Sequence, residues 1–149
     1  MRETVEAKKI SILYISPHGN TEQMAHAVAR GATNEGIDVD SYHISQLSVG
    51  EIRTIMEQSD ALVFGIPSVV RDIPKPMKDV LDYIGMVKLK ATVAGLFGSC
   101  GWNREASKAA AERLQEVGLK LVGDVVPTTV LDQCQALGRT VAEEVVRGI

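Results

Sequence analysis

Ser16, His18, Gly19, Asn20 and Thr21 fall within one six-residue turn, Ser16-Pro17-His18-Gly19-Asn20-Thr21, of a 149-residue chain. Two hydroxyls, an imidazole, an amide and one residue without a side chain equip a turn to hold an anion. Before the turn lies ISILYI (10–15), short, apolar and β-branched; after it Met24, Ala25, Val28, Ala29 and Ala32 repeat at helical spacing. A buried strand that feeds a helix through such a turn leaves the first helical N–H groups without intrahelical partners. The helix dipole adds about half a positive charge at the same point, which makes an anion site. The turn contains no Lys or Arg, so a phosphate there would rest on backbone N–H groups and hydroxyls.

Two further turns have the composition of binding loops. Pro67, Ser68, Val69, Val70, Arg71 and Asp72 follow the continuously apolar ALVFGI (61–66), and Ser99, Cys100, Gly101, Trp102 and Asn103 follow TVAGLF (92–97). The segments between them alternate between strand and helix. The first helix is expected over 21–34, with the Asn34-Glu35-Gly36 break supplying a C-cap glycine. IDVDSYHI (37–44) alternates apolar and polar, as an edge strand with one wetter face does. Ser48 can cap a second helix, with Glu51 at the capping-box position and Ile52, Ile55 and Met56 inward. Pro74 and Pro76 open a third, whose core face is Met77, Val80, Leu81 and Ile84. A fourth helix spans 104–117, with Ala106, Ala109, Ala110, Leu114 and Val117 inward. A fifth strand covers 119–126, and Asp132 caps a last helix carrying Leu137, Val141 and Val145.

Five short βα units of this kind call for a parallel sheet with helices on both faces and right-handed crossovers. The first, third and fourth strands are the apolar ones, so the sheet starts in its middle and has a topological switch point beside the first strand. All three polar loops follow those strands and therefore meet at one end of the sheet.

Composition narrows the field further. The chain suits one domain with a real core, and 1–8, which carries both charge signs, reads as a flexible leader to a domain over 9–149. A net charge of −3 with no basic stripe gives no footprint for nucleic acid. No apolar run approaches the roughly 20 residues that span a membrane, and the leader has no secretory h-region. Two cysteines, Cys100 and Cys134, make no disulfide framework, and the cytoplasm is the expected compartment. The phosphate motifs of P-loop enzymes and of dinucleotide-binding folds are both missing from the sequence. An acidic pair at the end of the first strand, as in a response regulator, is missing too.

The turn S-x-x-G-N-T after the first strand resembles the phosphate loop of the flavodoxin family. FGSCGWNREA (97–106) resembles the F-G-S-Y-G-W-S-G-E-A segment of the flavodoxin-like domain of flavodiiron (A-type) flavoproteins. VFGIPS (63–68) is similar to that domain's V-G-S-P-T loop, and DQCQALGR (132–139) to its D-L-x-x-C-x-x-L-G-R helix. The resemblance covers nearly the whole chain from Lys9 onward. It implies a doubly wound sheet of five parallel strands in the order 2-1-3-4-5, with FMN at the switch point. Flavodoxin is itself the standing example of that placement, which is therefore not an independent deduction. The implied cofactor residues are Ser16, His18, Gly19, Asn20 and Thr21 at the phosphate. Pro67, Ser68, Val69, Val70, Arg71, Asp72, Ser99, Cys100, Gly101, Trp102 and Asn103 would then wall the flavin ring.

The implied function is an electron carrier, either free or as a module delivering electrons to a redox partner protein or domain. An FMN-dependent NAD(P)H or quinone reductase is the alternative. The sequence contains no H-x-E-x-D ligand cluster, so the di-iron chemistry of flavodiiron proteins is not expected of this chain alone. The third-strand loop departs from the family in lacking a glycine, and Val69 and Val70 resist the peptide flip that glycine permits toward the flavin N5. Several side chains stay open to two readings. Trp102 stacks on the ring or plugs the core near the fourth helix. Arg71 reaches the ring's carbonyl edge or is a plain surface residue. His18 is a cation beside the phosphate or a neutral N–H donor. His26 and His43 read as surface groups, and the cysteines as packed thiols. Lys75–Asp79 and Lys108–Glu112 read as helix-surface pairs.

Overall fold

The computed structural model describes residues 8–15, 20–33, 37–66, 75–98, 104–125 and 131–147. The chain runs β1 (Lys8–Tyr14), α1 (Asn20–Ala32), β2 (Ile37–His43), a short 3₁₀ turn (Ile44–Gln46), α2 (Val49–Gln58), β3 (Ala61–Ile66), α3 (Lys75–Tyr83), β4 (Val93–Gly98), α4 (Arg104–Glu116), β5 (Lys120–Val125) and α5 (Leu131–Arg147). The five strands form one sheet in the order β2-β1-β3-β4-β5, and every pairing is parallel. The order expected from the sequence is the one observed.

Chain direction decides which face each helix covers. The step from β1 to β2 runs one way along the sheet, and the steps through α2, α3 and α4 run the other. Right-handed crossovers then place α1 on one face and α2, α3 and α4 on the opposite face. Two separate cores record this. Ile10, Ile12 and Tyr14 of β1 pack with Met24, Ala25 and Val28 of α1 and with Leu137, Val141 and Val145 of α5. Leu13 of the same strand packs on the other side, with Ile52 and Met56 of α2, Met77, Val80 and Leu81 of α3, and Ala110 and Leu114 of α4. Successive residues of a central strand thus serve opposite cores, which is why β1 and β3 read as apolar on both faces.

Local chemistry fixes several boundaries. Ser48 accepts from the Glu51 N–H at 3.1 Å and Glu51 accepts from the Ser48 N–H at 2.9 Å, a complete capping box on α2. That second bond holds the Glu51 carboxyl below its usual range. Lys75 and Asp79 pair at 3.1 Å on α3. On the buried side of β1, the Ser11 and Ser59 hydroxyls lie 2.7 Å apart, and Ser59 also donates to the Ile55 carbonyl at 2.5 Å. Both serines are fully buried, and the pair ties the end of α2 to the middle of the sheet.

Four expectations are corrected. Lys8 pairs with Ile37 and belongs to the sheet, not to the leader. Ala109 is exposed, because Ala110 and Leu114 set the inward face of α4 and Ala109 lies about 100° around the helix from Ala110. Asp132 is the second residue of α5 and not its cap, a position where the helix dipole still favours a carboxylate. His43 is half-buried and packs on Tyr14, since β2 delivers it beside the end of β1.

α1 and α5 cross through two glycines. A Cβ on Gly31 would lie 1.9 Å from the Gln135 carbonyl oxygen, and one on Gly138 would lie 2.0 Å from the Val28 carbonyl oxygen. The obstacle is backbone in each case, so no rotamer change relieves it. Gly138→Ala is expected to destabilise the fold by about 2 kcal/mol or more despite its better helix propensity. Gly50→Ala, with nothing nearer than the Ser48 hydroxyl at 4.0 Å, should leave stability unchanged or raise it. Urea unfolding of the two variants checks the contrast, and equal midpoints would refute it.

Candidate functional site

Because every strand is parallel, the carboxyl ends of β1, β3 and β4 lie along one edge of the sheet, and these three strands are immediate neighbours. Their register aligns His43, Tyr14, Gly65, Phe97 and Val125 as a row across all five strands. The segments 16–19, 67–74 and 99–103 leave from this edge. α1 opens at the same edge with Asn20, six residues after Tyr14, and carries Glu22 in its first turn. From β1 the chain turns to α1 on one face, and from β3 it turns to α3 on the other, the arrangement that marks a topological switch point.

Of the residues expected at the cofactor, Asn20 and Thr21 are the first two residues of α1. Ser16, His18, Gly19, Pro67, Ser68, Val69, Val70, Arg71, Asp72, Ser99, Cys100, Gly101, Trp102 and Asn103 lie outside the described residues. The described strand ends bring the bases of all three loops together.

The row of strand ends is tightly built. A Cβ on Gly65 would lie 2.3 Å from the Phe97 ring and 2.9 Å from Tyr14 Cβ, so glycine is what leaves room for both side chains over β3. The Ile15 N–H donates to the Gly65 carbonyl at 3.2 Å, extending the β1–β3 pairing one residue beyond the strand. Tyr14 donates to Glu22 Oε2 at 3.2 Å, and its ring lies 5.1 Å from that of His43, tilted by 54°. His43 Nδ1 in turn lies 2.7 Å from the Ser45 hydroxyl. Burial first, and the Glu22 carboxylate second, push the Tyr14 phenol above its ordinary range. It therefore stays a donor at neutral pH.

Tyr14, Glu22 and His43 went unnoticed in the sequence as neighbours of the site. One signal was present: a tyrosine closing an otherwise apolar central strand needs a partner for its hydroxyl, and Glu22 follows it across the anion turn.

Residues 12–143 match the family described as Flavodoxin. The chain belongs to the flavodoxin family. Putative diflavin flavoprotein A 4 of Nostoc sp. (strain PCC 7120) is 31% identical over 140 residues, which is 90% of this chain and 24% of that protein. The solved flavodiiron core of Flv1 from Synechocystis sp. PCC6803 superposes with a TM-score of 0.85 at 25% identity, covering 97% of this chain and 37% of that one. A flavodoxin from the domain Archaea superposes with a TM-score of 0.76 at 26% identity, over 93% of this chain and 99% of its own. The chain thus spans about a quarter of the first of these proteins and nearly all of the last. Flavodoxins and the flavodoxin-like domains of flavodiiron proteins bind FMN, and this chain is an FMN-binding domain of that family.

The described residues fit that cofactor. A 13-residue helix starts at the carboxyl edge beside the first strand, and its first N–H groups, which have no intrahelical partners, lie where a helix N-terminus binds a phosphate. The ends of β3 and β4 lie next to it, at the distance of neighbouring strands, as the bases of two ring-flanking loops must. Among the described residues no helix is long and apolar enough to cross a membrane.

Cys134 lies on the α1–α5 side of the sheet and is fully buried. Burial pushes its thiol from 9.0 up to about 11. The folded state therefore favours the neutral thiol, and ionisation favours the unfolded chain. Its contribution to stability is present below pH 9 and is lost as pH rises from 9 toward 11. In a Cys100→Ser background, Cys134 is expected to resist a thiol reagent at pH 8 until urea unfolds the protein. Stoichiometric labelling of the native form would contradict a packed thiol.

Proposed function

We propose that β1 through α5 act as one flavin domain that accepts electrons and delivers them to a redox partner protein or domain. Ser16, His18, Asn20 and Thr21 hold the FMN phosphate with side-chain donors, and Gly19 with bare backbone. Pro67, Ser68, Val69, Val70, Arg71 and Asp72 form one wall of the ring site, and Ser99, Cys100, Gly101, Trp102 and Asn103 the other. The observation that carries this reading is the meeting of three loop-bearing strand ends with the start of α1 on one edge.

Bound FMN supplies reversible uptake of one or two electrons, with a proton at N5. The chain's own work is to bind, orient and exclude water. Neutral donors at the start of α1 orient the phosphate without a cation, and the two ring loops exclude water from the flavin. Val69 and Val70 hold the third-strand loop stiff where the family often has glycine. The modest net charge of −3 gives weak long-range steering, which suits a docked or covalently joined partner better than a freely diffusing one. The names of the larger relatives, diflavin flavoprotein and flavodiiron core, favour the same arrangement. The cytoplasm is the compartment we assign to it.

Titration of the purified chain with FMN is expected to show one site, with micromolar or tighter affinity and a shifted flavin spectrum. No uptake would sink the reading. Trp102 is the only tryptophan, so binding should quench most of the tryptophan fluorescence. Unaltered emission from a fully loaded protein would instead place Trp102 in the core near α4. Steady-state turnover of NAD(P)H by the loaded protein alone would favour the reductase reading over the carrier.

A further inference from the structure

α1 and α2 both place a glutamate at their third residue, Glu22 and Glu51. In α2 the carboxylate turns back on its own helix, where Glu51 Oε1 accepts from the Ser48 N–H at 2.9 Å. In α1 one carboxylate oxygen, Glu22 Oε2, accepts from the Tyr14 hydroxyl at 3.2 Å. Tyr14 is the last residue of β1, so the bond joins the end of the strand to the first turn of the helix across the anion turn. It closes a loop between residues eight apart.

The donor side of this bond is held firmly. Tyr14 is 4% exposed. It is wedged between the His43 ring at 5.1 Å and the space that Gly65 leaves open over β3. The hydroxyl is therefore fixed to the sheet by packing across three strands. The acceptor side is a half-buried carboxylate two residues before Met24, which with Ala25 is buried against the sheet. The bond therefore ties the first turn, Asn20–Glu22, to a side chain that the sheet holds in place.

We propose that Tyr14 is a positioning residue for anion binding, acting through Glu22 to hold the first turn of α1 in register with the end of β1. This rests on the flavin reading above and adds to it a residue that does not touch the cofactor. The strut sets the direction of the helical N–H groups that a phosphate uses, and so acts on the phosphate end of a flavin and not on its ring.

Riboflavin, which has the ring and lacks the phosphate, separates the two ends. In the full chain, Tyr14→Phe should raise the Kd for FMN about tenfold, the scale of one hydrogen bond to a charged group, and leave that for riboflavin within about twofold. Glu22→Ala should weaken FMN binding at least as much, and adding Tyr14→Phe to it should cost little more, because the shared contact is already lost. Glu22→Gln keeps an oxygen that accepts from the phenol and should retain FMN binding. Equal weakening of both flavins by Tyr14→Phe would show a general packing role and overturn the proposal, as would an unchanged FMN affinity. If the unaltered chain takes up no FMN, the flavin reading has failed. Hydrogen exchange of the 20–25 amides in the ligand-free protein then decides the strut. Faster exchange in Tyr14→Phe than in the parent supports it, and equal exchange overturns it.

Discussion

The arrangement at the carboxyl edge depends on the absence of one methyl group. Gly65 lies between Tyr14 and Phe97 in register, and both side chains occupy the volume that a Cβ there would need. Both therefore pack over β3 at the level where the three loops depart. Tyr14 can then aim its hydroxyl at α1, and the Ile15 N–H can still reach the Gly65 carbonyl. A larger residue at that position would push the aromatic rings outward. The flavin site of this domain thus begins with a packing constraint inside the sheet.

A second close contact works at a distance from the first. α1 must lie deep against α5 for its first turn to meet the end of β1, and Gly31 and Gly138 permit this by letting each helix touch the other's backbone. Gly138 belongs to DQCQALGR, a segment that resembles flavodiiron domains while sitting on the last helix. Its physical use is to seat the helix that carries the anion turn. Cys134, one turn before Gly138, and Leu137 beside it fill the adjoining core, which accounts for a cysteine there as a packed thiol.

The chemistry itself asks little of charged groups. An anion turn without Lys or Arg can hold a phosphate through oriented N–H groups, since their dipoles are already fixed when the ligand arrives. Orientation then becomes the quantity the protein must control, and the Tyr14–Glu22 bond lies where it can exert that control. In α2, where no ligand is called for, the equivalent glutamate closes its own helix end through the capping box.

Hydrophobic period and turn chemistry were enough to place all five strands and five helices within two residues or so. They also placed the continuously apolar strands at the centre of the sheet and the alternating one at an edge, while the full order came with the resemblance to flavodoxin-like domains. The anion turn was legible for a similar reason: its properties are local, set by residue types between a strand and a helix. Ala109 was misread because a run of alanines has no phase of its own, and only contact with the sheet chooses which of them turns inward. Tyr14, Glu22, His43 and Gly65 were invisible as a group. Their association depends on register between strands far apart in sequence, and no local pattern encodes it. The sequence by itself determined which elements form and which strands are followed by polar loops. Tertiary structure alone decided which side chains meet at the ends of those strands, because pairing and packing across the sheet set those distances.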